Sequence, residues 1–203
     1  MVRAILEGRK TQTRRVLATY QDAVKFCPEW DVNGKQIFIV LGEKDHTGMN
    51  PVITAIPCPF GQPGDRVWVR ETFRVHSRAT DVATLVYRAS VRNSWTEQTH
   101  RVPVAVCNKP ATPEKWTPSI HMPRWASRIT LEITDVRVER LRDLSEEDAK
   151  SEGIIPSAGG VLPGWEYRIN FRDLWMDIYG TDNWEANPWV WVIEFKRVEG
   201  GAA

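Results

Sequence analysis

The sequence predicts an α+β domain built on a small mixed β-barrel, and three observations carry that expectation. Strand-like segments outnumber helix-like ones, and they do not alternate with helices as repeated βα units. The longest of them also shifts its apolar phase by one residue, as a bulged or sharply bent barrel strand must.

Val2, Ile5 and Leu6 recur at helical spacing, and Gly8 is placed to end that short helix. Arg9 to Val16 is basic and hydroxylated, with no apolar period before Val16-Leu17, and reads as a loop. Residues 18 to 60 are irregular apart from one strand over Gln36–Leu41, which follows the turn signal Asn33-Gly34. Cys58 to Asp65 reads as a turn, and Arg66 to Phe73 as a strand by its β-branched and aromatic content. A hairpin is expected around Thr84–Ala89 and Val102–Val106, followed by Pro110, Pro113 and Pro118. Arg128 to Leu141 is the clearest strand: Ile129, Leu131 and Ile133 share one face, and Val136 and Val138 continue out of phase after Thr134-Asp135. Leu144 to Gly153 is a short helix with Ser145 as N-cap, Asp148 at the capping-box position and Gly153 as the stop. A Gly/Pro-rich loop over 155–165 leads to an amphipathic helix marked by Tyr167, Phe171, Leu174, Trp175 and Ile178 and ended by Gly180. Pro188 to Val198 is a final strand, with Trp189, Trp191, Ile193 and Phe195 on one face.

Bulk properties exclude several classes. Of 203 residues, 42% are hydrophobic and 26% charged, enough apolar material to build a core. No apolar run approaches the roughly 20 residues of a membrane helix, and Met1–Glu7 is amphipathic rather than leader-like, so no membrane partner is expected. Three widely spaced cysteines, Cys27, Cys58 and Cys107, argue for a reducing, cytoplasmic setting rather than a disulfide framework. Cys27 and Cys58 each precede a proline and read as turn residues, no metal-ligand spacing is present, and neither a structural metal nor a cofactor is expected. A net charge of +1 gives no global polyanion signal.

The chemistry concentrates at a few positions. Arg9, Lys10, Arg14 and Arg15 lie within seven residues, an arrangement suited to phosphate or a developing oxyanion. Crowding of like charges makes Lys10 a candidate base, and Thr13 a candidate nucleophile for it to activate. The alternative is a solvated helix end, whose dipole welcomes cations. Glu152, in the last turn of its helix, is a candidate proton donor if buried and otherwise a plain surface glutamate. Glu71 beside Arg70 is either a strand-end ion pair or a site carboxylate. Among ten tryptophans, Trp68, Trp175, Trp189 and Trp191 fall on apolar faces, whereas Trp116 and Trp125, near Arg124, suit a pocket rim.

Several of these segments together resemble the ASCH domain family. They are Gly8-Arg9-Lys10-Thr11-x-Thr13-x-Arg15, Pro63-Gly64-Asp65, Ser145-Glu146-Glu147-Asp148-Ala149 through Glu152, and Val190-Trp191-Val192-Ile193-Glu194-Phe195. Trp68–Thr72 and Ser119–Trp125 are similar to its longer phage and prophage branch. The resemblance implies a single PUA-like β-barrel domain over residues 1–203, with flanking helices and branch-specific insertions at 18–57 and 76–118. It also implies a link to RNA and a phage- or prophage-encoded protein in the bacterial cytoplasm. The family member with defined chemistry is an N4-acetylcytidine amidohydrolase, whose catalytic positions fall on Lys10, Thr13 and Glu152. By that analogy Lys10 activates Thr13, or a water that Thr13 positions, to attack the amide of an N4-acylated cytosine, and Glu152 protonates the leaving amine. Arg15 would stabilise the oxyanion, with Arg14, Glu71, Arg124 and Trp125 contributing to substrate binding. Two rival readings use the same loop: a non-catalytic module for RNA or a modified nucleotide, and a ribonuclease with Lys10 and Arg15 on the phosphorane and Glu152 moving the proton.

Overall fold

The computed structural model describes residues 1–90, 99–156 and 166–198. They form an α+β structure, mostly β, in two compact units. Of the described residues, the first unit comprises 1–6, 66–90, 99–131 and 197–198, and the second 7–65, 132–156 and 166–196.

In the first unit, helix α1 (Val2–Leu6) is followed after a long interval by β5 (Arg66–Trp68), β6 (Phe73–Arg78), β7 (Val82–Tyr87) and β8 (Thr99–Pro103). The expected hairpin is present as β7 and β8, and β6 joins it in an antiparallel sheet ordered β6-β7-β8. Strand β5 stops at Trp68, shorter than its composition suggests. Phe73, Val75, Leu85, Tyr87 and Met122 form the core, and Trp68 and Trp125 pack on it only half buried. The Phe73 and Trp125 rings meet edge to face, their centroids 6.4 Å apart.

The second unit contains β1 (Gln12–Val16), β2 (Lys25–Trp30), β3 (Gln36–Leu41), β4 (Val52–Pro57), most of β9 (Thr130–Arg140) and most of β10 (Trp189–Val198). Helices α2 (Glu146–Ser151), α3 (Glu166–Tyr179) and α4 (Thr181–Glu185) complete it. Strands β2, β3 and β4 form an antiparallel sheet in that order, so residues 18–57 carry three strands rather than the one expected. Cys27-Pro28 lies inside β2 and not in a turn; β2 is an edge strand, where a proline costs no interior ladder bond.

The other sheet is ordered β1-β10-β9 here. Its first strand corrects the loop expected over Arg9–Val16: Gln12 to Val16 pair antiparallel with Glu194 to Val190. Strand β10 is buried on both faces, as its unbroken apolar run requires. Trp189 and Trp191 meet Phe26 and Phe38 edge to face at 5.0 and 5.1 Å. On the opposite face Val190 and Val192 join Leu141, Leu144, Ala149, Phe171 and Trp175 beneath the helices. Each fully buried side chain of this size contributes about 1.5–3 kcal/mol by leaving water. The phase shift in β9 is real: Leu131 and Ile133 are buried, Thr134 is exposed, and Val136 is buried again.

Helix α2 is punctuated as its sequence dictates. Ser145 Oγ accepts the Asp148 N–H at 3.0 Å, and Asp148 Oδ2 accepts the Ser145 N–H at 3.1 Å, closing the capping box. Gly153 takes φ +83°, the left-handed conformation that ends the helix. Glu146 then accepts the N–H groups of Tyr167 (2.9 Å) and Arg168 (3.2 Å), two orphan donors in the first turn of α3. Apart from Ile155 and Pro156, the loop expected over 155–165 lies outside the described residues. No helix among the described residues is long and apolar enough to cross a membrane.

Candidate functional site

Strand alternation sorts the cationic segment into two faces. Lys10, Gln12 and Arg14 are buried, whereas Thr11, Thr13 and Arg15 are exposed or half buried on the other parity. Opposite the buried face stands α2, where Asp148 and Glu152 are four residues apart and share one side. Two residues of strand span about 6.6 Å and four of helix about 6 Å, so the two series match rung for rung.

The lower rung is an ion pair. Lys10 Nζ lies 2.5 Å from Glu152 Oε2, their side chains 8% and 6% exposed, and also donates to the Glu152 carbonyl at 3.0 Å. The next is Gln12 Nε2 donating to Asp148 Oδ1 at 3.1 Å. Arg14, its side chain fully buried, reaches Glu152 Oε1 at 3.4 Å and Asp148 Oδ2 at 3.5 Å, and donates to Glu139 Oε1 at 2.5 Å. Arg137, two residues before Glu139 on the same face of β9, closes the outer side on Asp148 (2.8 Å), Glu139 (3.2 Å) and Glu194. The cations Lys10, Arg14 and Arg137 thus share the carboxylates of Glu139, Asp148 and Glu152, and Arg137 also meets Glu194 and, at 3.8 Å, Asp135 on the outer side.

Burial pushes the Asp148 carboxyl up, but hydrogen bonds from the Ser145 N–H and hydroxyl and from Gln12, with the charge of Arg14, outweigh it and hold the group down at about 2. The Thr11 N–H bonds the Ser151 carbonyl at 2.8 Å, pinning the strand entry to the end of α2.

Of the expected catalytic set, the structure brings Lys10 and Glu152 into contact. Thr13 lies on the opposite strand parity, with Ile193 as its cross-strand partner. Arg14 joins the pair; Arg15 shares the Thr13 face, opposite Trp191. Glu71, Arg124 and Trp125 belong to the first unit. There Glu71 is buried and held by Arg128 through two bonds, at 2.9 and 3.0 Å, with Ser90 Oγ accepting from Arg128 at 2.7 Å. Tyr87 lies beneath that guanidinium, 4.0 Å from ring centroid to Cζ, and burial pushes its hydroxyl far up from the ordinary phenol range. Arg124 is exposed and reaches the Thr130 hydroxyl at 3.4 Å. Trp116 stacks under Arg74 at 4.6 Å.

Gln12, Arg137 and Glu139 were not singled out by sequence. Their signal was periodicity rather than residue type: Lys10, Gln12 and Arg14 at i, i+2, i+4 are a strand's spacing, and Asp148 and Glu152 a helix's.

A cleft of about 580 Å³ opens beside the ladder. Arg9 and Thr11, the neighbours of Lys10, line it with Ser151, the neighbour of Glu152, together with Lys150, Ile154 and Tyr167. Arg9 is engaged by Glu7 at 2.5 Å and by the Gly153 carbonyl at 2.9 Å. No group of three or more His, Cys, Asp or Glu among the described residues is placed to hold a metal ion. Neither a family model, nor a curated protein, nor a solved structure matches this chain.

Proposed function

We propose that the chain is an ASCH-like, PUA-related barrel protein that hydrolyses the amide of an N4-acylated cytosine nucleoside or nucleotide, with Lys10 and Glu152 as its acid–base couple. The observation that supports this reading is the buried contact of 2.5 Å between Lys10 Nζ and Glu152 Oε2, beside a cleft of nucleoside size. Transfer of one proton along that contact leaves a neutral amine and a neutral carboxylic acid, the two forms amide hydrolysis needs. The amine takes a proton from water as the oxygen attacks the acyl carbon. The C–N bond then breaks as Glu152 gives its proton to N4, returning ammonium and carboxylate and releasing acetic acid and cytosine amine. Water is the nucleophile in this scheme because Thr13 is on the other strand parity from Lys10. Arg14, bonded to Glu152 and Glu139, is a positioning residue that aims the Glu152 carboxyl.

The phosphate-holding alternatives gain less support, because Arg9, Lys10 and Arg14 are each committed to a carboxylate. The test is chromatographic: incubation with N4-acetylcytidine should yield cytidine from the parent and not from folded Lys10→Ala. Absence of cytidine from folded parent protein overturns the amidohydrolase reading.

A further inference from the structure

Strand β3 is apolar on both faces, with Ile37, Ile39 and Leu41 alternating with Phe38 and Val40. Such a run belongs to a strand covered on both sides, as β10 is. In β3 one face is covered and the other is not. Phe38 and Val40 are buried, whereas Ile37, Ile39 and Leu41 stay half buried on the open face of the β2-β3-β4 sheet. Directly paired residues project to the same face, so the register lays that face out in three rows. The middle row is Cys27, Ile39 and Ala55. On one side of it stand Lys25, Leu41 and Val52, and on the other Glu29, Ile37 and Pro57. Val52 is 65% exposed, and Lys25 and Glu29 are exposed and make no ion pair among the described residues.

An apolar strip with a cation in one outer row and an anion in the other is complementary to itself. A second copy turned by 180° about the middle row runs each strand backwards over its twin. Leu41 then meets Ile37, Val52 meets Pro57, and Lys25 of each copy meets Glu29 of the other. We propose that the chain forms an isologous dimer through this face, the two sheets stacked about 10 Å apart with the two Cys27 side chains facing each other. The face measures about 14 by 17 Å, roughly 240 Å². A stable complex covers about 800 Å² per partner, so this dimer is weak and forms at high protein concentration. It does not depend on the Lys10–Glu152 pair, which lies on other elements.

Sedimentation velocity from micromolar to near-millimolar protein tests it: the weight-average mass should rise towards twice that of the chain. Ile39→Glu, which sets two carboxylates against each other on the axis, should weaken the dimer about tenfold or more. Glu29→Lys turns both ion pairs into repulsions and should weaken it about fivefold or more. Adding Lys25→Glu to Glu29→Lys exchanges the two charges and should restore parental association, which a merely sticky surface would not do. Lys25 and Glu29 are exposed, so these variants keep the test intact should Ile39→Glu unfold. A bismaleimide with a spacer of about 8 Å should link parent chains through Cys27 across the stacked sheets, and should fail in Cys27→Ser. The proposal is overturned if the parent stays monomeric throughout, if Glu29→Lys leaves the dimer as strong as the parent's, if the charge exchange does not restore it, or if cross-linking persists in Cys27→Ser.

Discussion

Glu152→Gln removes the carboxylate that neutralises Lys10, and the size of the effect follows from an asymmetry in the ladder. Among the described residues Lys10 has one carboxylate partner, at 2.5 Å, whereas Glu152 has two cations, Lys10 and Arg14. Removing one member of a buried pair costs about 3–5 kcal/mol, because the other charge is left uncompensated. Lys10 would keep the backbone carbonyl of residue 152 at 3.0 Å and gain an amide oxygen, which places Glu152→Gln near the lower end, at about 3 kcal/mol. Lys10→Met leaves the carboxylate on Arg14 and should cost less, about 1–2 kcal/mol. In Lys10→Met/Glu152→Gln no unpaired charge remains, so the double variant should be more stable than additivity predicts, by about 1–2 kcal/mol. Urea unfolding followed by far-UV circular dichroism reads these differences. With a slope of about 2–3 kcal/mol per molar, Glu152→Gln should lower the midpoint by about 1 M. Equal losses for the two single variants, together with strict additivity in the double, would refute the claim that Lys10 depends on Glu152 for its charge compensation.

Three further outcomes are expected. Thr13→Val should retain turnover of N4-acetylcytidine within a few-fold, while Glu152→Gln loses about 10²–10⁴-fold; loss of activity in Thr13→Val at parental stability would restore the hydroxyl as nucleophile. The Asp148 carboxyl is held at about 2, below its unfolded value of 3.8, so its stabilising contribution is complete above about pH 4 and disappears as pH falls through 2. Discounted for partial exposure, that contribution is about 1–2 kcal/mol, so the urea midpoint should fall less steeply between pH 4 and 2 in Asp148→Asn than in the parent. Gly61 has φ +116°, and a Cβ there would stand 2.8 Å from Ile133 Cδ1, so Gly61→Ala should cost about 1–3 kcal/mol, read as a lowered melting temperature.

Helix α2 was legible residue by residue because every signal that makes it is local: Ser145 and Asp148 close the capping box within one turn, and Gly153 ends it through its own φ. The change of buried phase in β9 was legible for the same reason, written in the slip from Ile133 to Val136. Strand β1 was not. Its buried face is Lys10, Gln12 and Arg14, which reads as a solvated loop, and only carboxylates more than 120 residues away make it tolerable inside. Strand β2 was missed because Cys27-Pro28 reads as a turn and only pairing with β3 makes it extended, whereas the β-branched run Val52-Ile53-Thr54 of β4 was a strand signal that the reading passed over.

The candidate site divides along the same line. Lys10 and Glu152 stood out in the chain by charge and position, and alternation along residues 10–15 already put Thr13 on the other parity once a strand was granted. That a strand forms there depends on β10, and that Arg14 is neutralised while Arg15 is not depends on which face meets α2. Composition and short-range periodicity therefore determined α1, α2 and α3, the change of buried phase in β9 and the choice of Lys10 and Glu152 as candidates, but not α4. The pairing of charges, and the face on which each side chain acts, were decided only when distant segments packed, because an ion pair has no signature in either partner's local sequence.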